Sequence, residues 1–374
     1  MFKKIASFVF VLLTFACSNN NGPANILLLP KYVSIDSANQ RLFVVDDSNN
    51  NLSLIDLATN KIVTEKPLIN KDSALKIPSL PQDIVAVNLG NGVSRIFIIG
   101  ANAPQNQISV LDYDSAAGLR SASFSTINVG TDTNSLLLGL ALDSTNGNLF
   151  VSDNTHNQVR VYNIQDGTER SGSPINVSAD PIRMQLNPSI QRLIVSSLSS
   201  TQITLINTQD FSVSNIEVGV QTSSAASATN ANGTVLFTLA PTLNQINVFR
   251  LDLVALTATP IGSPILPPAV GQAAPANNVL TGSAFEIIAS PLADGRIGGF
   301  ITQSTGDFGF VNVNADLGGF NQGLLTVING SGAAGIDLLK DSNGNGLTAY
   351  YAAPGGSTVS YIDVVNNKFL GQIF

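Results

Sequence analysis

The chain has 374 residues, 44% of them hydrophobic and only 11% charged, with one Cys, one His, no Trp and a formal net charge of −7. So apolar a composition excludes a disordered chain, and so few charges exclude an ordinary helical protein, whose exposed helix faces carry Glu, Lys and Arg. The acidity is spread along the chain and no basic run follows Lys3-Lys4, which excludes a nucleic-acid partner, because phosphates require a basic face.

The chain opens with a short basic start, an apolar centre from Ile5 to Phe15 and the small residue Ala16 before Cys17. The centre is too short to span a bilayer and reads as a secretory signal over residues 1–16. Cys17 is the only cysteine, so no disulfide forms within the chain. Leu13-Thr14-Phe15-Ala16-Cys17 resembles the lipobox of bacterial lipoproteins, with Leu13 one place before that family's usual leucine. The resemblance implies cleavage after Ala16, acylation of Cys17 and a membrane anchor, since each buried methylene adds about 0.8 kcal/mol. Residues 17–25 then form a flexible polar tether. Ser18 after the cysteine resembles lipoproteins sorted to the outer membrane, which sets the expected address.

From residue 26 to 374 one unit recurs about seven times. An apolar run flanked by turns appears as Arg41–Asp46, Arg95–Gly100, Asn148–Asp153, Arg192–Ser197, Thr234–Leu239, Arg296–Ile301 and Leu347–Ala352. A second run follows each after a polar turn, as in Leu52–Asp56, Ile108–Asp112, Val159–Asn163, Ile203–Asn207, Ile246–Arg250, Phe308–Asn312 and Val359–Asp363. Several copies also carry a preceding strand that ends in a turn, such as Val33–Asn39 and Leu140–Asn146. The spacing of about 42–62 residues is that of propeller blades rather than of short solenoid repeats. One four-stranded blade has two apolar faces and cannot cover either alone. Stacking blades around an axis and closing the circle covers both. The expected fold is therefore all-β, a seven-bladed β-propeller of four-stranded antiparallel blades. A two-sheet sandwich or two small barrels remain as other arrangements of the same strands. Ring closure is also open: Lys368–Phe374 has the length to finish the last blade, and Asn25–Leu29 is a candidate closing strand.

Asp36–Val45, Asp143–Ser152 and Asn187–Ser196 resemble the YVTN-type and lactonase-like seven-bladed propellers of bacteria. That resemblance implies architecture rather than activity, and blades five and six (Ala225–Asn329) depart from it most. In such a fold, inter-blade loops share one face around a central channel. Two are long, Lys66–Pro81 and Gly262–Gly282, as befits partner-binding or mobile insertions. Innermost strands begin near Asp83, Asp180, Arg183 and Asp337, which makes these the candidate channel-mouth residues. Lactonase-like propellers place carboxylates there for a metal or substrate. His156 reads as an exposed turn residue, and a lone imidazole builds neither a multi-histidine metal site nor a Ser-His-Asp order. Asp341-Ser-Asn343-Gly-Asn345-Gly346 opens like a calcium loop, but Ala352 stands where the closing Glu belongs, so a hairpin turn is expected. The expected protein is a monomeric envelope lipoprotein that binds a protein, peptide or glycan and needs no cofactor. A metal-dependent lactonase-like hydrolase in the channel is the alternative, and leaves a divalent metal open.

Overall fold

A computed structural model describes the chain except for residues 1–26, 28, 48–49, 64–66, 70–74, 102–105, 132, 268–278, 326–331 and 333. The expected signal segment and tether, with Cys17, lie outside the described residues. The rest forms seven four-stranded antiparallel sheets, each built from four strands consecutive in the chain. The blades span 30–62, 81–128, 137–176, 181–217, 224–260, 284–325 and 336–373. The protein is a seven-bladed β-propeller.

The continuous apolar runs follow from this arrangement. A middle strand is covered on both faces, so both sets of alternate side chains must be apolar. In blade one, Leu42 and Val44 pack toward blade seven, while Phe43 and Val45 pack toward blade two. There is accordingly no single core. Seven apolar clusters each fill one inter-blade wedge, one of them joining blades seven and one.

That last wedge answers the closure question. Blade seven is finished by its own terminal strand, Lys368–Ile373, and among the described residues no strand is lent across the seam. Side-chain packing and cross-seam hydrogen bonds close the ring instead. Leu27, Val33 and Ile35 join Tyr350, Ala352, Val359 and Ile373. The Tyr350 hydroxyl donates to Asn60 Oδ1 at 2.7 Å, and Gly335 N–H donates to the Lys31 carbonyl at 2.6 Å.

The sequence signature of the repeat turns out to be a tie between blades. In the turn after the first strand, Asp36 accepts from Asn39 N–H at 3.2 Å and from its side-chain amide at 2.7 Å. Asp143 and Asn146 repeat this geometry at 3.1 and 2.7 Å. Each motif then reaches the next blade: Ser94 Oγ donates to Asp36, and the Asn146 amide reaches Thr208 Oγ1. A different Asp stands in all seven third-to-fourth-strand turns: Asp56, Asp114, Asp166, Asp210, Asp252, Asp316 and Asp363. Each accepts a main-chain N–H two or three residues on, at 2.8–3.0 Å. All these turns lie on one face. The first strands begin at the opposite face, the channel mouth.

Candidate functional site

The innermost strand of a blade has one edge with no strand beside it, and its inward N–H groups need acceptors. Side chains of the preceding blade supply them around most of the ring. Ser34 Oγ accepts from Ala86 N–H at 2.9 Å, and Asp83 Oδ2 accepts from Leu140 N–H at 2.8 Å. Gln185 Oε1 takes Ser227 N–H at 2.8 Å, and Ser224 Oγ takes Ile287 N–H at 3.2 Å. Glu286 Oε2 accepts Ile336 N–H at 3.3 Å, and Asp337 Oδ2 closes the circle on Ile35 N–H at 2.7 Å. Between blades three and four the strands are too close for such a side chain. There a Cβ on Gly139 would stand 2.2 Å from the Ile182 carbonyl oxygen.

Inside this ring lies a channel cavity of about 190 Å³, lined by Asp83, Gln185, Glu286, Asp337 and Lys340 among others. Above it, at the mouth, is an open pocket of about 320 Å³ walled by Gln82, Leu138, Ile182, Pro241 and Phe285. Arg183 and Tyr32 separate the two. The Arg183 guanidinium donates to Tyr32 Oη at 2.8 Å, to the Gln82 carbonyl at 3.0 Å and to the Leu138 carbonyl at 3.5 Å. It sits 3.5 Å from Asp83 Oδ2. It also lies 4.8 Å from the centre of the Tyr32 ring and 5.7 Å from that of Phe285. One side chain of blade four thus ties together blades one, two, three and six across the channel.

The electrostatics follow from that plug. Burial opposes the charge on Arg183, but Tyr32, Glu286 and Asp83 outweigh it and hold the guanidinium protonated beyond its usual range. Burial pushes Glu286 up to about 7, with Asp83 and Asp337 adding to the shift and Arg183 opposing it. Burial also raises Asp83 against Arg183 and two main-chain N–H groups, and raises Asp337 against two N–H groups and Lys340. Lys340 is itself lowered by burial. The channel therefore holds carboxylates oriented by main-chain donors and balanced by two cations. Among the described residues, no group of three or more His, Cys, Asp or Glu is arranged to hold a metal ion.

Of the four residues expected at the mouth, Asp83, Arg183 and Asp337 come together here. Asp180 does not. It occupies a left-handed turn (φ 54°) one residue before the first strand of blade four. Its carboxylate is taken by the Ser199 hydroxyl and its N–H by Asn157 Oδ1 at 2.8 Å. Sequence reasoning missed Tyr32 and Glu286. The signal was available, because Tyr32, Asp83, Arg183 and Glu286 are each the third residue of their blade's first strand.

Two other expectations meet the structure directly. His156 is exposed, as expected, and Ser135 and Asp153 join it. Both partners address the same ring nitrogen, Ser135 Oγ at 3.3 Å and Asp153 Oδ2 at 2.9 Å from Nδ1. A nucleophilic triad needs the serine and the carboxylate on opposite nitrogens, so the group braces a turn. Asp341 accepts from Asn343 N–H, Asn345 N–H and the Asn345 amide at 2.8–3.0 Å, which is a turn closed upon itself. Both long inter-blade loops are pinned near their ends: Ile69 pairs with Leu52 and Ile265 with Ile246.

The class defined by this geometry is a seven-bladed propeller with a plugged channel beneath an open mouth pocket. No protein-family model matches the chain, and no curated protein matches it in sequence. Among solved structures it is similar to hydrazine synthase of Kuenenia stuttgartiensis, at 10% identity over 97% of this chain and 90% of that one, with a TM-score of 0.49. It is also similar to a functionally unknown protein of Desulfotomaculum acetoxidans, at 16% identity over 62% of this chain and 70% of that one, with a TM-score of 0.47.

Proposed function

We propose that this chain is a cell-envelope lipoprotein of the outer membrane, cleaved after Ala16 and acylated at Cys17, whose propeller is a binding platform. The partner is a protein, peptide or glycan received at the channel mouth. One observation carries this reading: the mouth pocket opens to solvent over a floor that Arg183 locks from four blades. A rigid floor under an open pocket suits recognition, because little order has to be gained on binding. The channel carboxylates, by contrast, spend oxygens on strand edges.

Pull-down from solubilised membranes tests it. Phe285→Ser removes a half-exposed ring from the pocket wall, and Val254→Ser changes a fully exposed residue on the far face. A partner held by the parent chain and by Val254→Ser but lost from Phe285→Ser supports the reading. Equal recovery by all three, or no partner with any, counts against it.

The second reading, a metal-dependent lactonase-like hydrolase, has one observation in its favour. Asp83, Glu286 and Asp337 converge on one cavity. Purified protein carrying a divalent metal that disappears with Asp83→Asn, together with lactone hydrolysis, would favour this alternative.

A further inference from the structure

We propose that the mouth pocket recognises a carboxylate carried on an apolar body, with Arg183 taking the carboxylate and the wall taking the rest. The proposal rests on the reading of the mouth as the receiving site, and it names the chemistry received there.

The plug sorts the charges of the channel. Tyr32 borders both spaces, but Asp83, Glu286, Asp337 and Lys340 line only the cavity beneath it. Among the described residues that line the mouth pocket, Arg183 alone is charged, and it does not line the cavity below. The 14% of its side chain that stays exposed is therefore exposed to the pocket. A molecule entering from solvent meets neutral walls and one cation.

The donors of that cation are not all spent. A guanidinium has five N–H groups and no acceptor. Nη1 donates to the Gln82 and Leu138 carbonyls, and Asp83 stands on the same side. Nη2 donates once, to Tyr32 Oη. The Nε–H and the second N–H of Nη2 have no acceptor among the described residues. These two N–H groups lie side by side on one edge of the guanidinium, the fork that takes both oxygens of a carboxylate. The carbonyls of two other blades and the rings of Tyr32 and Phe285 already hold the group in place. The fork is thus set before a ligand arrives, which lowers the entropy lost on binding.

The wall defines the rest of the ligand. Leu138, Ile182, Pro241 and Phe285 present carbon, while Gln82 and Ser223 add little polar surface. A glycan would leave hydroxyls unpaired against such a wall, and an aliphatic or aromatic body would not. The pocket volume of about 320 Å³ suits a small acid or the end of a peptide. Two sources share this chemistry: a free carboxylic acid, and the C-terminus of a peptide that ends in an apolar residue.

Titration calorimetry on the full chain in mild detergent tests the proposal with four probes. They are 3-phenylpropanoate and its amide, and acetyl-dialanyl-phenylalanine with a free or an amidated C-terminus. Each acid is expected to bind roughly 10- to 100-fold more tightly than its amide, the range for hydrogen bonds to a charged group. A tighter peptide acid identifies a chain terminus as the source, and a tighter phenylpropanoate identifies a free acid. Phe285→Ser should weaken acid and amide together. Arg183→Met should erase the preference for the acids. If that variant does not fold, Arg183→Lys, which keeps a charge but lacks the fork, should shrink the preference severalfold.

Acid and amide binding equally, with both weakened by Phe285→Ser, overturns the carboxylate and leaves the mouth pocket as the receiving site. An acid preference untouched by Phe285→Ser and Arg183→Lys puts the anion elsewhere and also overturns the proposal. Binding by none of the four probes overturns it too, while the pull-down above still decides the platform.

Discussion

Replacing Arg183 with Met should destabilise the fold in a way that depends on pH. The guanidinium lies 3.5 Å from Asp83 Oδ2, with side-chain exposures of 14% and 17% for the pair. At an effective dielectric constant near 20, that separation corresponds to about 5 kcal/mol of gross attraction, most of it offset by desolvation in the native protein. Methionine keeps the stem but removes the charge, so Asp83 and Glu286 remain in the channel beside Asp337 without their main counter-ion. Breaking a buried pair by deleting one partner typically costs about 3–5 kcal/mol. The Tyr32 hydroxyl also loses its 2.8 Å partner and its ring loses the stacked cation, which together add about 1–2 kcal/mol. Acid relieves the charge component, because protonating Asp83 and Glu286 removes what Arg183 had balanced. Both groups are already shifted upward and rise further in the variant. The expected loss is therefore about 4–7 kcal/mol at pH 8 and about half that at pH 5, read from urea midpoints of variant and parent at both values. A loss below about 1 kcal/mol, or one identical at the two pH values, would refute the view that Arg183 balances the channel carboxylates.

Glu286→Gln isolates one of those carboxylates. With its native pKa raised to about 7, Glu286 favours the folded state below its unfolded value near 4.5 and surrenders that stability as pH rises through 7. The variant should lack this slope and gain on the parent by up to about 3 kcal/mol between pH 5 and 8, and parallel denaturation curves would contradict it. Gly139→Ala drives a Cβ to 2.2 Å from the Ile182 carbonyl oxygen, a main-chain atom that cannot swing away. It should cost about 1–3 kcal/mol and lower the melting temperature, whereas a neutral result would mean that blades three and four can move apart. Asp143→Ala removes a 4% exposed carboxylate that accepts from Asn146 N–H and from its amide, and should cost about 1–3 kcal/mol by thermal denaturation.

The fold was legible because its determinants are local. A turn such as Asp36–Asn39 is closed within four residues, and the apolar runs around it announce a strand covered on both faces. Blade six was the hardest to read, and its packing explains why. Gly298 and Gly299 replace two apolar residues of the run, and the space is filled by rings. A Cβ on Gly298 would meet the Phe300 ring at 2.3 Å, and one on Gly299 would meet Phe237 of blade five at 2.8 Å. At Gly299 the space is filled from another blade, by a residue that no local window connects to the site. Glu286, in the first strand of that blade, was lost for the same reason. Asp180 was misassigned by a single residue, because the left-handed turn before Pro181 sends its carboxylate to Ser199 rather than inward. The plug itself was out of reach, since Arg183 and Tyr32 are 151 residues apart in the chain.

The two ends of the propeller obey different constraints, and this explains why architecture could be read further than function. On the far face, each blade must turn back on itself within a few residues and meet its neighbour. The same few polar residues solve that problem repeatedly, which produces a repeat visible in the sequence and a ring of aspartates. At the mouth the third place of the first strand differs from blade to blade: it is Tyr32, Asp83, Gly139, Arg183, Ala226, Glu286 and Leu338 in turn. A ring needs its blades alike where they join, but a site needs them unlike where they converge. The residues that break the repeat at one shared position are therefore where recognition should be sought. In this chain that position leads to a single guanidinium packed against two adjoining aromatic rings at the floor of an open pocket.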